Sequence, residues 1–275
     1  MVRQILTNDS KPLDPVNKRI SLQVEYEGTH YMGFQFQPDQ PTIQGEIEKA
    51  IHQLTGETIR IRGASRTDSG VHAYGQIVDG LIKDKYSIGT VQQALNHYLP
   101  SDIKITNAYE VQESFHSRRD AQSRIYRYQI LNRSDPSPLR RRTHYVIQEP
   151  LDDSSMSQAA KDMIGVHDFK QFTKGTNNYT STVREVLRWD IQRSGDVITI
   201  ECEGSGFLRQ QIRRANSILV EIGKNKWPYT AIKDTLDDEF EKGKSHTVLP
   251  ALGLCLMEVK YLNFWDKVIN KHETS

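Results

Sequence analysis

The sequence predicts an α+β protein of two subdomains with mainly antiparallel sheets. Predicted strands and helices follow the order β-α-β-β-α-β in the first half, which is typical of an open antiparallel sheet backed by helices. A looser version of this pattern recurs in the second half. A chain of 275 residues can hold one large domain or two closely packed ones. We predict a flexible leader over residues 1–17, subdomains over 18–112 and 113–265, and a flexible tail over 266–275.

Composition narrows the class of protein. The hydrophobic fraction is 36% and the charged fraction 26%, which suits a folded chain better than a disordered one. The N-terminus lacks the apolar core of a signal peptide, and no apolar run approaches the roughly 20 residues needed to span a bilayer. Only Cys202 and Cys255 are present, which favours a reducing compartment. We therefore expect a soluble, cytoplasmic protein without a membrane segment.

Motifs for common cofactors are missing from the sequence. There is no Cys-x-x-Cys pair and no His-Glu-x-x-His spacing, so a zinc site is not expected. The phosphate-binding loops of nucleotide enzymes are also absent. The formal net charge is only +1, so binding to a polyanion would depend on local clusters of basic residues.

The first half begins with RISLQVEY, residues 19–26, whose alternating apolar residues predict a half-buried strand. After a glycine- and aromatic-rich loop, Thr42 is placed to cap a helix. The apolar face of that helix is Ile43, Ile47, Ala50, Ile51 and Leu54. Further strands are predicted for TIRIRGAS, YGQIVDGLI and IKITNAYEV. A second helix over residues 88–99 is ended by Pro100.

The second half opens with the predicted strand SRIYRYQIL, followed by a helix over residues 153–164. The segments VREVLRWDIQR and DVITIECEG predict a hairpin around Ser194 and Gly195. A strong amphipathic helix is predicted over residues 207–223, with Gly223 as its stop signal. The segment LGLCLMEVKYL predicts a final strand, after which the charged tail is expected to fray from Asp266.

The segment GASRTDSGVHAYGQ contains the best candidate for catalysis. Asp68 lies in a predicted tight loop between two strands, flanked by Arg66, Thr67 and His72. A carboxylate on such a loop can project into a cleft, and a neighbouring cation favours its ionised, nucleophilic form. The alternative is that Asp68 only shapes the turn through its side chain, which is the commoner role of an isolated Asp-Ser-Gly.

Two groups of arginines are candidates for contacts with charged partners. Guanidinium groups pair with phosphates, and aromatic rings such as Phe115, Tyr126 and Tyr128 stack on unpaired bases. The first group is Arg118, Arg119, Arg124, Arg127, Arg133, Arg140, Arg141 and Arg142. A solvated strand face with core aromatics explains this group equally well.

The second group lies on the predicted helix over residues 207–223. Arg209 and Arg213 are four residues apart and share one helical face, from which a guanidinium could reach a buried carboxylate. In isolation, exposed surface arginines are the commoner explanation for such a pair.

RTDSGVHAYGQ resembles the active-site motif of the tRNA pseudouridine synthase A family, the tRNA pseudouridine(38–40) synthases, which reads RTDAGVHA in many members. Further blocks resemble the family in its own order. These are YEGTHYMGFQFQPDQPTIQGEIEKA, ALNHYLPSDIKI, FHSRRDAQSRIYRYQI, GVHDFKQF, STVREV, FLRQQIRR and LGLCLMEVKY. The resemblance spans residues 20–262. Ser65, Ser69 and residues 215–217 depart from the commoner pattern, which affects substrate position and dimer geometry more than the catalytic groups.

The resemblance implies an isomerase that converts uridine to pseudouridine in the anticodon arm of tRNA. It implies a pseudouridine synthase fold of two ferredoxin-like or RRM-like subdomains whose sheets meet at a central catalytic cleft. Asp68 matches the nucleophile, Tyr126 the tyrosine that packs on the target base, and Arg213 the arginine that pairs with the nucleophile. A homodimer without metal or organic cofactor is implied.

The block over residues 115–119 matches a stretch implicated in contacting tRNA. Together with the neighbours of the candidate nucleophile and the helix arginine, this block gives a predicted set of RNA-contacting residues. The set is Arg66, Thr67, His72, Phe115, His116, Ser117, Arg118, Arg119 and Arg209.

Two other functions are compatible with parts of the sequence. One is a non-catalytic RNA-binding protein or chaperone on the same scaffold, although chaperoning needs no buried carboxylate. The other is a hydrolase that uses Asp68 with His72, although the sequence shows no motif for an oxyanion hole or a catalytic metal.

Overall fold

The computed structural model describes residues 17–239 and 247–271. That part of the chain forms eleven strands and five α-helices. The strands are β1 Asn17–Tyr26, β2 Arg62–Gly63, β3 His72–Lys83, β4 Ile103–Val111, β5 Ala121–Asn132, β6 Tyr145–Ile147, β7 Gly165–Asp168, β8 Val183–Ser194, β9 Val197–Gly204, β10 Leu254–Tyr261 and β11 Val268–Lys271. The helices are α1 Ile43–Thr55, α2 Ile88–Tyr98, α3 Asp153–Ala160, α4 Gln211–Gly223 and α5 Ala231–Leu236.

The strands form one continuous, mostly antiparallel sheet in the order β11-β4-β1-β3-β10-β5-β9-β8-β7, with β2 paired to β3 and β6 to β5. Strands of the two halves of the sequence meet twice: β11 pairs with β4 at one end of the sheet, and β3 and β10 run parallel near its middle. This parallel contact pairs His72 with Cys255 and Ala73 with Leu256. The predicted α+β class with a mainly antiparallel sheet is confirmed.

Local sequence signals explain the first two helices. The Thr42 hydroxyl accepts the N–H of Gly45 at the start of α1, and Gly56 ends the helix with φ of 74°. The Ser87 hydroxyl caps α2 in the same way through the N–H of Thr90. The apolar faces of both helices join the buried core, which continues through the sheet into the second half.

Helix α4 is shorter than predicted. It begins at Gln211 rather than at residue 207, because Gln210 has a left-handed backbone with φ of 62°, which no regular α-helix can continue through. The segment before it is therefore an irregular loop. The helix predicted over residues 153–164 is also shorter, since α3 ends at Ala160 and a 3₁₀ turn, Lys161–Met163, follows.

Two predictions need adjustment, and a third is confirmed. The segment TIRIRGAS pairs only at Arg62–Gly63. The predicted hairpin is confirmed, with Gly195 and Asp196 as its turn. The prediction that the tail frays from Asp266 is wrong for Val268–Lys271, because this segment pairs with the edge strand β4. The strands β6 and β7 and the helix α5 were not predicted.

The predicted leader over residues 1–17 lies outside the described residues except for Asn17, the first residue of β1. Strand β4 ends at Val111 and β5 begins at Ala121, so the predicted subdomain boundary near residue 112 falls in the connection between them.

Within the described residues, each helix is too short or too polar to cross a membrane.

Candidate active site

A cavity of about 870 Å³ opens between the RTDSGVH loop and the start of α4. Three stretches supply most of its walls: residues 64–69, the side chains of Arg124 and Tyr126 on β5, and residues 205–213. Its size falls within the roughly 300–1,000 Å³ of sites that enclose small ligands. Asp68 is the one carboxylate among the described residues that line it.

Asp68 forms an ion pair inside this cavity. Its Oδ2 lies 3.0 Å from Nη1 of Arg213, and both side chains are largely withdrawn from solvent, with 21% and 13% exposed. The Nε–H of Arg213 donates to the carbonyl oxygen of Leu249 at 2.7 Å. The arginine is therefore fixed at two points, and its Nη1 pairs with one oxygen of the carboxylate.

A tight turn presents Asp68 to the cavity. The N–H of Val71 donates to the Asp68 carbonyl oxygen at 3.1 Å, and Gly70 has φ of 79°, which an L-residue rarely adopts. The hydroxyl groups of Thr67 and Tyr26 lie 2.8 Å apart in the core. Anchors on both sides of Asp68 therefore restrict the loop.

The loop between β1 and α1 supports the same turn from outside. The N–H of Phe34 donates to the Thr67 carbonyl oxygen at 3.1 Å, and the Ser69 hydroxyl donates to the Tyr31 carbonyl oxygen at 3.1 Å. Gly33 has φ of 97°, and a Cβ there would lie 2.8 Å from the Thr67 carbonyl oxygen. Only glycine allows this approach of the two loops.

Tyr126 forms an aromatic wall of the cavity. Its side chain is buried, and its ring meets Phe207 edge to face with centroids 5.6 Å apart. Burial raises the pKa of Tyr126 to about 12. The phenol therefore stays protonated at neutral pH, as a flat and uncharged surface.

The remaining polar lining is strongly basic. Six arginines surround the single carboxylate: Arg66, Arg118, Arg124, Arg184, Arg209 and Arg213. Sequence reasoning did not assign a role at the cavity to Arg124 or Arg184. Arg124 was part of the longer arginine run, and Arg184 was visible only within the block STVREV. A cavity of this charge suits a polyanionic ligand.

Known proteins are similar to this sequence over most of its length. The family model described as tRNA pseudouridine synthase matches residues 22–119 and 159–262. The chain belongs to the tRNA pseudouridine synthase family. Membership makes it an isomerase that acts on uridine in tRNA.

Individual relatives agree with this assignment. The tRNA pseudouridine synthase A of Myxococcus xanthus is 37% identical over 88% of this chain and 92% of its own length. The enzyme of the same name from Brevibacillus brevis is 37% identical over 89% of this chain and 100% of its own length. The solved archaeal box H/ACA sRNP Nop10-Cbf5 complex aligns at a TM-score of only 0.31 and 9% identity, over 74% of this chain and 54% of that one, and adds nothing to the assignment.

His72 does not face the cavity of this tRNA pseudouridine synthase family member. Its Nδ1 accepts the N–H of Gly28 at 3.0 Å, and its Nε2 lies 2.7 Å from the Arg142 carbonyl oxygen and 3.1 Å from that of Leu252. Both ring nitrogens are thus occupied by backbone groups, and the side chain is buried. Its predicted contact with RNA is therefore corrected to a structural role, and an Asp68–His72 hydrolytic pair has no support.

Phe115 and Ser117 are also inside the protein. Phe115 packs against Tyr261, with ring centroids 5.5 Å apart. The N–H of Ser117 donates to Oδ1 of Asp79 at 3.0 Å, and its hydroxyl donates to the Arg62 carbonyl oxygen at 3.0 Å. Their predicted direct contact with RNA is wrong for this structure, because neither side chain reaches the surface. They fix the base of the loop that carries the next two arginines.

His116 organises that loop. Its Nδ1 accepts the N–H groups of Arg118 and Arg119 at 3.2 and 3.4 Å. Burial, assisted by the positive charges of Arg62 and Arg119, lowers the pKa of His116. A neutral imidazole is the form that can accept these bonds. Arg118 lines the cavity and Arg119 lies on the surface beside it, so these two residues can meet a bound RNA.

Several other arginines of the run pair with carboxylates of the protein itself. Arg127 lies 2.8 Å from Glu201, and Arg142 lies 3.1 Å from Glu27. Arg133 lies 3.6 Å from Asp196. These arginines are therefore better explained as members of a solvated surface that pair with the protein's own carboxylates than as RNA contacts. These three arginines are weaker candidates for RNA contact than Arg118, which lines the cavity, and the exposed Arg119 next to it.

Among the described residues, no three His, Cys, Asp or Glu side chains come together as a metal site.

Thr67, one of the residues predicted to contact RNA, lines the cavity together with Arg66 and Arg209. The Thr67 hydroxyl forms a hydrogen bond with the Tyr26 hydroxyl, so Thr67 anchors the loop. Arg66 and Arg209 line the same cavity and are placed to meet a ligand.

Proposed function

We propose that this protein isomerises uridine to pseudouridine in the anticodon stem-loop of tRNA, with Asp68 as the nucleophile. The observation that carries the proposal is the 3.0 Å pair between Asp68 and Arg213 inside a basic cavity walled by Tyr126. A carboxylate in such a place is costly to maintain for structure alone, because its charge is withdrawn from water.

The reaction itself requires few groups. The bond between uracil and ribose breaks, the base rotates, and a carbon–carbon bond replaces the carbon–nitrogen bond. The new bond forms at C5 of uracil, so the C5 proton is lost and N1 gains one. No other group enters, and a nucleophile, a proton acceptor for C5 and a cavity that retains the free base account for the exchange. Asp68 supplies the nucleophile in this scheme, and the walls formed by residues 64–69 and 205–213 retain the base.

The target uridine must leave the base stack before it can reach Asp68. Extrusion costs a few kcal/mol, and stacking on an aromatic side chain returns about 1–3 kcal/mol per base. Tyr126 is the aromatic residue placed for that contact, because its ring borders the cavity that holds Asp68. Its phenol, whose pKa burial raises to about 12, is uncharged at neutral pH, as an unperturbed tyrosine would be, so no phenolate repels the nearby RNA backbone.

The basic lining supplies the attraction for RNA. Arg66, Arg118 and Arg209 line the cavity, and Arg119 lies on the surface beside it, in a protein whose net charge is only +1. Segregated charge of this kind pairs with the phosphates on either side of the flipped nucleotide. These arginines position the RNA, while Asp68 and Tyr126 act on the base.

We further propose a cytoplasmic homodimer of two subdomains per chain, with residues 18–112 and 113–265 as the subdomains. The family resemblance is the support for the dimer. Sedimentation equilibrium tests it, since a dimer has twice the 31.6 kDa mass of the chain.

Mapping of the product tests the proposed substrate. Unmodified tRNA transcripts are incubated with the purified protein, and pseudouridine is located by chemical modification and sequencing. We expect product at uridines of the anticodon arm. Product confined to other regions would refute the proposed target. Tight tRNA binding without any product would favour the RNA-binding or chaperone alternative.

A further inference from the structure

Arg124 is a buried cation whose bonds all go to backbone carbonyl oxygens. Its side chain is on β5, two residues before Tyr126, and only 7% of the residue is exposed. Nη1 donates to Ala121 at 3.2 Å and to Ser205 at 2.7 Å. Nη2 donates to Ala64 at 3.1 Å and to Arg118 at 2.8 Å. Four N–H groups of one planar guanidinium are therefore engaged.

Three of these acceptors belong to different walls of the cavity. Ala64 precedes the loop that carries Asp68, and Arg118 belongs to the loop organised by His116. Ser205 begins the irregular segment that leads to Phe207 and α4. These segments are far apart in sequence, and the guanidinium of Arg124 is a direct link among all three.

We propose that Arg124 is a positioning residue that fixes the separation of these three walls, so that a uridine entering the cavity meets Asp68 and Tyr126 in a reactive arrangement. This inference rests on the proposed function. The planar fork of arginine holds four acceptors at fixed angles, whereas lysine offers three donors from one flexible atom. A change of about 1 Å in the placement of reacting groups costs on the order of 10²-fold in rate.

Charge alone does not explain this arrangement. An arginine that served only to attract phosphate would keep its N–H groups free for the ligand, as a cation at the cavity mouth does. Arg124 uses its Nη groups on the protein, so its loss should alter the geometry of the cavity more than the affinity for RNA. Loss of Arg124 should therefore lower the rate and leave the affinity for RNA, whereas loss of the exposed Arg119 should lower the affinity and leave the rate.

The test compares Arg124→Lys with Arg193→Lys. Arg193 is a matched control, because its guanidinium also donates to a carbonyl oxygen, that of Leu151 at 2.7 Å, and it pairs with Asp153 away from the cavity. Single-turnover rates are measured at saturating tRNA, beside tRNA affinity and its salt dependence. We expect Arg124→Lys to lose about 10²-fold in rate with affinity within about threefold. Arg193→Lys should keep the parent rate.

Chemical rescue gives an independent readout. Arg124→Ala leaves a space that borders the cavity, so added guanidinium chloride should restore at least about tenfold in rate, and sodium chloride at equal ionic strength should not. Circular dichroism melting shows whether Arg124→Ala folds; where it does not, Arg124→Lys decides alone. An unchanged rate in Arg124→Lys would overturn the proposal, as would a loss of affinity and of salt slope equal to the loss of rate.

Failure of the proposed function is recognisable separately. In that case the parent protein itself forms no pseudouridine. A failure of the Arg124 inference instead leaves the parent active and Asp68→Ala inactive, with Arg124→Lys as fast as the parent.

Discussion

The arginine beside the proposed nucleophile has two tasks that lysine cannot perform together. Arg213 donates through Nη1 to Asp68 and through Nε to the Leu249 carbonyl oxygen. Lysine keeps the charge but cannot span both acceptors in a fixed plane. We expect Arg213→Lys to slow the single-turnover rate on the order of 10²-fold while tRNA affinity changes little. Near-parent rates in both Arg213→Lys and Arg213→Ala would remove this arginine from the mechanism.

Substitutions of Tyr126 separate stacking from proton transfer. With a pKa raised to about 12 by burial, its phenol is protonated below that value. A stacking role therefore predicts that Tyr126→Phe stays active with an unchanged rate profile between pH 6 and 10, whereas Tyr126→Leu loses roughly tenfold or more. Rates of both variants across that pH range decide the matter. Loss of activity in Tyr126→Phe would indicate an acid–base role instead.

The sequence identifies the site residues unevenly. Asp68, Tyr126 and Arg213 were named from motifs, and the structure brings all three to one cavity. His72, Phe115 and Ser117 lie in the same motifs but are buried. A motif contains residues that the site requires, but it does not distinguish a side chain that contacts the ligand from one that holds the backbone in place. Lining of the cavity, which depends on tertiary packing, makes that distinction: Tyr126 is buried as well, yet it borders the cavity, and the other three do not.

At the level of structural elements, the contact between two loops is open to a matched test. Gly33 and Gly56 both have positive φ, 97° and 74°, so alanine is strained at either position. A Cβ at Gly33 would also collide with the Thr67 carbonyl oxygen at 2.8 Å, while one at Gly56 meets nothing within 4 Å. Backbone strain alone should lower the free energy of unfolding by about 1–2 kcal/mol in Gly56→Ala, and Gly33→Ala should lose more because the collision adds to the strain.

Only Gly33→Ala should displace the loop that carries Asp68, and we expect it to slow product formation about tenfold. Gly56→Ala serves as the control, because it shares the backbone strain without the collision. Equal rates for the two variants, measured at matched folded fractions, would show that the loop contact does not position the nucleophile.

The C-terminal strand gives a second test at this level. Val268–Lys271 pairs with the edge of β4, away from the cavity. Removal of residues 268–275 should lower the free energy of unfolding by about 1–3 kcal/mol, because a few ladder hydrogen bonds are lost. The single-turnover rate should not change. A denaturant titration that matches the full-length protein would argue that this strand contributes nothing to stability.

Helices and strands are predicted correctly where a local sequence signal exists, and missed where their conformation depends on residues distant in the sequence. Thr42 caps the start of α1 as predicted, and IKITNAYEV coincides with β4. The left-handed Gln210 and the pairing of Val268–Lys271 have no such local signal. The tail reads as a charged, exposed end, and only an unpaired edge elsewhere in the fold makes it a strand.

For the whole molecule, the distribution of charge governs binding to RNA. The net charge is +1, yet arginines dominate the cavity lining. Replacing Arg118 and Arg119 by alanine should weaken tRNA binding and flatten the log–log salt dependence by about one to two, since each lost phosphate contact removes roughly 0.7–0.9. The rate at saturating tRNA should change much less. Filter binding over a series of salt concentrations gives both quantities.

A double variant of Arg127 and Arg133 is the comparison, because both arginines already pair with Glu201 and Asp196. It should leave the salt slope as in the parent. If instead this variant flattens the slope and the Arg118–Arg119 variant does not, the RNA lies on a different face of the protein. This distinction was beyond the sequence, where all four arginines belong to one run.

The central claim is that Asp68 attacks the uridine, and its most direct test is the single-turnover rate of Asp68→Asn on saturating tRNA. Asparagine keeps the size of the side chain and a hydrogen-bond acceptor for Arg213, so folding and tRNA affinity should match the parent. We predict a loss on the order of 10⁴-fold or more in pseudouridine formation, as expected when a covalent nucleophile is removed. A rate within tenfold of the parent, with the substitution verified by mass spectrometry, would contradict the account.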